Sequence, residues 1–272
     1  MTTAANVKKS EGSHWYYTDG KPCYELPKAD GSGMKVPTLA DARKLNLLPG
    51  VSTILKILHK QALLEWLIEQ SVLAVLTTPR LPQEPDDAFA KRVLSTERVQ
   101  DQESQKARDR GVEIHDGMEQ LVSGKPVDPD LAPWVMPAFE KLKSYGPFLQ
   151  AEVNVVGRGY GGRTDLVQQG QDCIWVWDYK SAKKLPDPKK GGAWSEHRLQ
   201  LAAYAKAIQA AFWKRNESEP VIKTANLYIS TVEPGRFVIC EHDEWMQTFD
   251  QGFSPLVVHW QWATQYFPVN AN

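Results

Sequence analysis

The stretch from Glu152 to Lys180 constrains the fold of this chain more than any other. It alternates with period two in three blocks, Glu152 to Val156, Tyr160 to Val167 and Cys173 to Lys180. Gly157 to Gly159 and Gln169 to Asp172 are the turns between them. Connections this short join antiparallel neighbours. In the third block, Ile174, Val176, Asp178 and Lys180 share one face, and Trp175, Trp177 and Tyr179 share the other. A strand as apolar as Cys173 to Trp177 belongs in the middle of a sheet. Its inner stripe nevertheless ends in Asp178 and Lys180, and charges that end a central strand need a reason.

Helical spacing frames these strands. Thr38 caps a short helix to residue 45, and another starts near Ser52. Leu63, Leu64, Trp66, Leu67, Val72 and Val75 recur at helical spacing. A long polar helix runs from Asp86 or Asp87 to about Ser123, with a break expected near Gly111, and a further helix spans about Pro133 to Tyr145. After the strands come an Ala-rich helix over 194–213, strands at Ile222 to Thr231 and Arg236 to Glu241, and a last helix after Asp243. Residues 14–50 read as a small hairpin with a long loop. The class is α/β, with a central mixed sheet flanked by helices and a helical N-terminal extension. The expected division is a disordered tail over 1–13, a mainly helical part over 14–147 and a core over 148–272, as one integrated unit.

Composition bounds the partners. The formal net charge of the 272 residues is −1, so any polyanion must meet a local patch. Lys180, Lys183, Lys184, Lys189, Lys190 and Arg198 are a candidate, although alone such a run reads as a solvated loop. Cys23, Cys173 and Cys240 are far apart and form no CxxC pair. Neither a disulfide framework nor a zinc site is expected, which fits a reducing cytosol. No run of 18 apolar residues marks a membrane span, and the first residues lack the apolar segment of a signal peptide.

Asp165 and Asp178 are 13 residues apart, as on neighbouring strands joined by a short turn. Two carboxylates suffice for Mg²⁺, which keeps several of its waters. Such an ion activates water, neutralises a phosphate and stabilises the leaving oxygen of a phosphodiester. The backbone carbonyl of Tyr179 is a candidate third ligand, and Lys180 a point charge for the water or the phosphate. Taken alone, Asp165 reads equally well as a turn or capping residue. Gln200 and Tyr204, four apart, share a helical face and either bind phosphate or hold the site together. Alone, that pair reads as a packed tyrosine. His115 shares a stripe with Met118 and Val122 and alone reads as a core histidine. A neutral imidazole also suits Mn²⁺, and a long helix crossing the strand ends would let His115 complete a site for a second ion.

Gly162-Arg163-Thr164-Asp165, Asp178-Tyr179-Lys180 and Gln200-Leu201-Ala202-Ala203-Tyr204 together resemble the PD-(D/E)XK nuclease superfamily. Their order, GxxD then (D/E)xK then QxxxY, looks like its RecB-type exonuclease branch, as does Arg110-Gly111 before His115. Leu48-Pro49-Gly50-Val51-Ser52-Thr53-Ile54-Leu55 with Trp66 is similar to the mitochondrial genome-maintenance exonucleases and their phage relatives. The resemblance covers residues 48–241. It implies a restriction-endonuclease-like core, one or two Mg²⁺ or Mn²⁺ ions, and DNA cleavage at or near an end.

Carried over by position, Asp165, Asp178 and His115 would be metal ligands and Lys180 catalytic. Gln200, Tyr204, Lys183, Lys184 and Arg163 would lie along the DNA. Glu152 sits where some members carry an acidic residue on the preceding strand. The four cysteines of the iron–sulfur members are missing, so no cluster is expected. No GxxxxGK[ST] helicase motif is present, which favours a stand-alone nuclease on single strands or exposed ends. The expected setting is recombination, repair or phage replication in a bacterial or phage-infected cytoplasm, beside a recombination or single-strand-binding protein. Oligomeric state is not legible. The alternatives are a structure-specific endonuclease with the same site, a non-catalytic DNA-binding module, and a glycosidase with paired carboxylates, which leaves Lys180, Gln200 and Tyr204 unexplained.

Overall fold

A computed structural model describes residues 14–58, 61–188, 192–216 and 219–269. The expected tail over 1–13 lies outside them, as do Lys189 and Lys190 and the side chains of Leu63, Leu64, Trp66 and Leu67. The N-terminal part carries more sheet than the single hairpin expected. β1 (Trp15–Tyr16), β2 (Pro22–Cys23), β3 (Leu26–Pro27) and β4 (Met34–Lys35) precede α1 (Leu39–Leu45), β5 (Leu48–Pro49) and α2 (Val51–Leu55). β1 pairs with both β2 and β5, while β3 pairs with β4. Thr38 caps α1 as read: its hydroxyl accepts from the Asp41 backbone, and the Asp41 carboxylate accepts from the Thr38 backbone.

Helices α3 (Gln61–Thr77), α4 (Asp86–Val122) and α5 (Ala132–Lys143) follow. Val72 and Val75 of the expected α3 stripe are exposed. The break expected in α4 does not occur. A β-carbon at Gly111 would stand 2.6 Å from Oγ of Ser181. The glycine therefore permits close passage of an intact helix over the end of a strand, at the usual cost of about 1 kcal/mol in helix propensity.

The main sheet contains β6 (Phe148–Gly157), β7 (Tyr160–Gln169), β8 (Ile174–Ala182), β9 (Ile222–Ser230) and β10 (Phe237–His242), in the order β10-β9-β8-β7-β6. The apolar strand β8 is central, as its sequence requires. It pairs antiparallel with β7 and parallel with β9, and α6 (Ser195–Asn216) is the crossover that parallel pairing demands. The C-terminal helix is continuous, with α7 (Trp245–Thr248), a π-helical turn (Phe249–Phe253) and α8 (Ser254–Thr264).

The period-two reading of β8 holds on both faces. Ile174 and Val176 pack with Leu201, Ala202, Ala205 and Ile208 of α6, and with Trp15, Leu47 and Ile54 from the N-terminal part. Trp175, Trp177 and Tyr179 pack on the opposite face against Ile114 and Met118 of α4 and Val135, Ala138 and Leu142 of α5. No helix among the described residues is long and apolar enough to cross a membrane.

Candidate active site

β7 and β8 are paired from Gln169↔Ile174 up to Leu166↔Trp177. Continued by one residue, that register sets Asp165 across from Asp178. Side chains take over the ladder at this point. Thr164 Oγ1 donates to the Trp177 carbonyl at 2.7 Å, and the Tyr179 N–H donates to Oδ2 of Asp165. The strands thus part where the two carboxylates meet, and buried backbone groups of β8 keep their partners. A residue's N–H and C=O point to the same side of a strand, so the Tyr179 carbonyl also faces the β7 edge.

Asp178 is 3% exposed. Burial pushes its carboxyl up to about 6, and the nearby charge of Asp165 adds to the rise. Lys180 opposes it with an ion pair, Nζ to Oδ2, at 2.8 Å. The same ammonium donates to Oε1 of Gln200 at 3.0 Å, and Gln200 Nε2 donates to the Tyr204 hydroxyl at 2.8 Å. Both motif residues on α6 therefore bond to the site itself. Tyr204 is buried, and it packs where Gly162 leaves room: a β-carbon there would stand 2.5 Å from its ring. The stripe His197, Gln200, Tyr204 meets Tyr228 of β9, Lys180 of β8 and Gly162 of β7 in turn, so α6 crosses three strands and fixes the lysine midway.

The passage of α4 over β8 brings in His115. Its Nδ1 is 3.9 Å from Oδ1 of Asp165, and its ring centre is 6.2 Å from that of Tyr179. Glu152 has a left-handed backbone, φ 51°, which strains a residue with a side chain. The register of Ala151↔Leu166 and Val153↔Thr164 sets it opposite Asp165, and its carboxylate pairs with Arg163. Lys183 and Lys184 are exposed just beyond β8. Arg198 of α6 acts by its charge on His242.

Two residues of the site were not anticipated. Asn226 of β9 is wholly buried beside Asp178, and its Nδ2 donates to Oδ2 of that carboxylate at 2.9 Å. Its Oδ1 lies 2.9 Å from Nε2 of His242 on β10. Because the amide nitrogen donates to a carboxylate, its oxygen must accept, which places the imidazole proton on Nε2. Burial and the charge of Arg198 push His242 down to about 4, so it is neutral near pH 7. Six side chains form one chain of bonds: Tyr204, Gln200, Lys180, Asp178, Asn226, His242. A signal for Asn226 existed, an amide in the middle of the expected strand from Ile222. Nothing in the sequence marks His242.

Among the described residues no three His, Cys, Asp or Glu side chains stand as a ready-made metal cluster. The donors that do converge, two carboxylate groups of which one is buried and raised by the other, with an imidazole and a strand carbonyl alongside, match in type a hard divalent ion that retains water.

Residues 134–261 match the family model described as the PD-(D/E)XK nuclease superfamily. That segment contains β6 to β10, α6 and every strand-borne residue above. The solved structure titled "Crystal structure of SSO0001" aligns at 13% identity over 73% of this chain and 87% of that one, with a TM-score of 0.29. Comparison with curated proteins gives no match.

Proposed function

We propose that this chain is a divalent-metal-dependent DNA exonuclease that hydrolyses phosphodiester bonds of single strands or DNA ends, in recombination, repair or phage replication. The observation that carries this reading is the convergence of Asp165, Asp178 and Lys180 where β7 and β8 part, with Gln200 holding the lysine.

Asp165, Asp178 and the Tyr179 carbonyl would hold an ion, Mg²⁺ or Mn²⁺, and His115 would complete the ligands or serve a second one. When bound, the ion supplies charge neutralisation and an activated water. Asp178 is kept available as a carboxylate by Lys180 and Asn226, against burial that favours its acid form. Lys180 is held at its tip by Gln200 and would reach a phosphate oxygen or the attacking water while still balancing Asp178. Fixing the ammonium in advance lowers the reorganisation needed as charge develops on the phosphate. Tyr204 orients the Gln200 amide. Lys183 and Lys184 supply local positive charge for the strand, against a net charge of −1 overall, while Arg163 would reach it only by leaving Glu152.

The test uses end-labelled linear single-stranded DNA, linear duplex and a closed single-stranded circle, with Mg²⁺ or Mn²⁺, beside Lys180→Ala. Loss of linear forms alone, and only by the wild type, supports the exonuclease. Cutting of the circle assigns an endonuclease instead. Retained cutting by Lys180→Ala, or full activity in excess EDTA, removes the mechanism.

A further inference from the structure

We propose that Trp194 is a stacking platform for one nucleobase of the DNA strand, beside Lys180; this rests on the nuclease reading above. Most tryptophans near the site are packing residues. Trp175 and Trp177 stack on each other at 28° and 5.3 Å in the core. Trp194 differs: it is 45% exposed at the entry to α6, yet its ring is held in place. Tyr228 meets it at 5.3 Å and 63°, and His197 at 5.5 Å and 78°. Both contacts are edge-to-face rather than stacked, and nearly half of the residue's surface stays open to solvent. Both neighbours are themselves fixed, since Tyr228 is wholly buried and its hydroxyl lies 2.8 Å from Nδ1 of His197.

The position matters as much as the exposure. Tyr228 is the register partner of Lys180 on β9, and His197 lies three residues before Gln200 on α6. Adjacent strands are about 5 Å apart, and with the length of the Tyr228 side chain and the ring contact added, the indole is on the order of 10–15 Å from the Lys180 backbone. A base bound there belongs to a nucleotide within a few positions of the phosphate at Lys180. Lys183 and Lys184 are exposed just beyond β8, and Leu185, which follows them, packs on the same cluster as Tyr228 and Ala193, the residue before Trp194. An aromatic surface flanked by cations is how single strands are held without sequence preference, the bases by stacking and the backbone by charge. The indole is rigid before binding, so little side-chain entropy is lost on stacking.

The test measures binding without cutting, in the Lys180→Ala protein, by anisotropy of a fluorescein-labelled thymidine oligonucleotide. Trp194→Ala in that background is expected to weaken binding about 10-fold to 100-fold. Trp194→Phe keeps most of the affinity. Trp262→Ala, which removes an exposed tryptophan of α8 with no part in the site, leaves it unchanged. Oligonucleotides lacking one base are then scanned position by position. At one position the missing base costs the parent the same factor, and Trp194→Ala shows no further loss there, a result that a merely structural tryptophan would not give. Binding by Trp194→Ala within twofold of the parent, or penalties that add at every position, overturns the platform and leaves the nuclease reading standing. An absence of DNA binding by the parent, with no cutting by the wild type, overturns both.

Discussion

Asn226 Nδ2 donates to Oδ2 of Asp178 at 2.9 Å, and through that bond a residue of β9 sets the orientation of a carboxylate on β8. The amide is in turn held by His242. Partners one step behind a ligand typically alter metal affinity by about 10-fold to 100-fold when removed. Asn226→Leu is expected to lower Mn²⁺ affinity by that amount, measured by titration calorimetry on the folded protein. His242→Phe frees the amide to flip its oxygen toward Asp178 and has the same direction of effect. His242→Gln restores a donor and recovers affinity. Unchanged Mn²⁺ binding in Asn226→Leu would remove the role assigned to this pair.

The pH dependence of stability follows from Asp178. Its carboxyl is raised from 3.8 to about 6 in the folded, metal-free protein. The folded state therefore binds the proton more tightly than the unfolded chain, and stability falls wherever only the unfolded chain has lost it. The contribution is fully present below pH 3.8, is lost as pH rises to about 6, and is constant above. Melting temperatures of wild type and Asp178→Asn across pH 3.5 to 7.5, compared as differences, isolate this group. A divalent ion requires the ionised form, so its stabilising effect is expected to grow through the same window. A difference that does not vary with pH would contradict the assignment.

Gly162 makes room for Tyr204, and the two are coupled. Gly162→Ala puts a β-carbon 2.5 Å from a ring carbon that the core holds in place. Overpacking of this kind costs about 1–3 kcal/mol. Thermal denaturation should show that loss, and Gly162→Ala/Tyr204→Leu should recover most of it. Cleavage should stay low in the double variant, because Gln200 has lost the hydroxyl that orients it.

Gly111 and Ser181 give the complementary case. Alanine is the better helix former by about 1 kcal/mol, but in the wild-type background its β-carbon meets Oγ of Ser181 at 2.6 Å. With Ser181→Ala in place, the nearest remaining atom is 3.5 Å away, an ordinary contact. Gly111→Ala should then stabilise the Ser181→Ala protein by about 1 kcal/mol in denaturant unfolding, while giving less or a loss in the wild type. Equal effects in both backgrounds would show that this contact does not decide the choice of glycine.

Much of this architecture was legible because one signal governs it. Alternation over Glu152 to Lys180 fixes which residues of β8 face α6, and its double-sided apolarity fixes that β8 is central. The pairing of Asp165 with Asp178 follows from turn length. Harder to read was whatever depends on two distant segments meeting. Gly111 looks like a helix break until Ser181 is seen beneath it. Asn226 and His242 lie 48 and 64 positions after Asp178, and only the parallel pairing of β8 with β9 and the return along β10 bring them to it. The strained backbone of Glu152 leaves no trace in composition.

The donors around the two carboxylates have a consequence for how the protein comes into being. Mutual repulsion between neighbouring acids ordinarily penalises a chain that must fold before it meets its cation. Here the backbone of Tyr179 answers Asp165, while Lys180 and Asn226 answer Asp178. These partners offset part of the repulsion, and the raised carboxyl of Asp178 marks the part that is left near neutral pH. On the proposed metal-dependent reading, an ion that lifts this residual penalty would tie the hardening of the fold to the arming of the site.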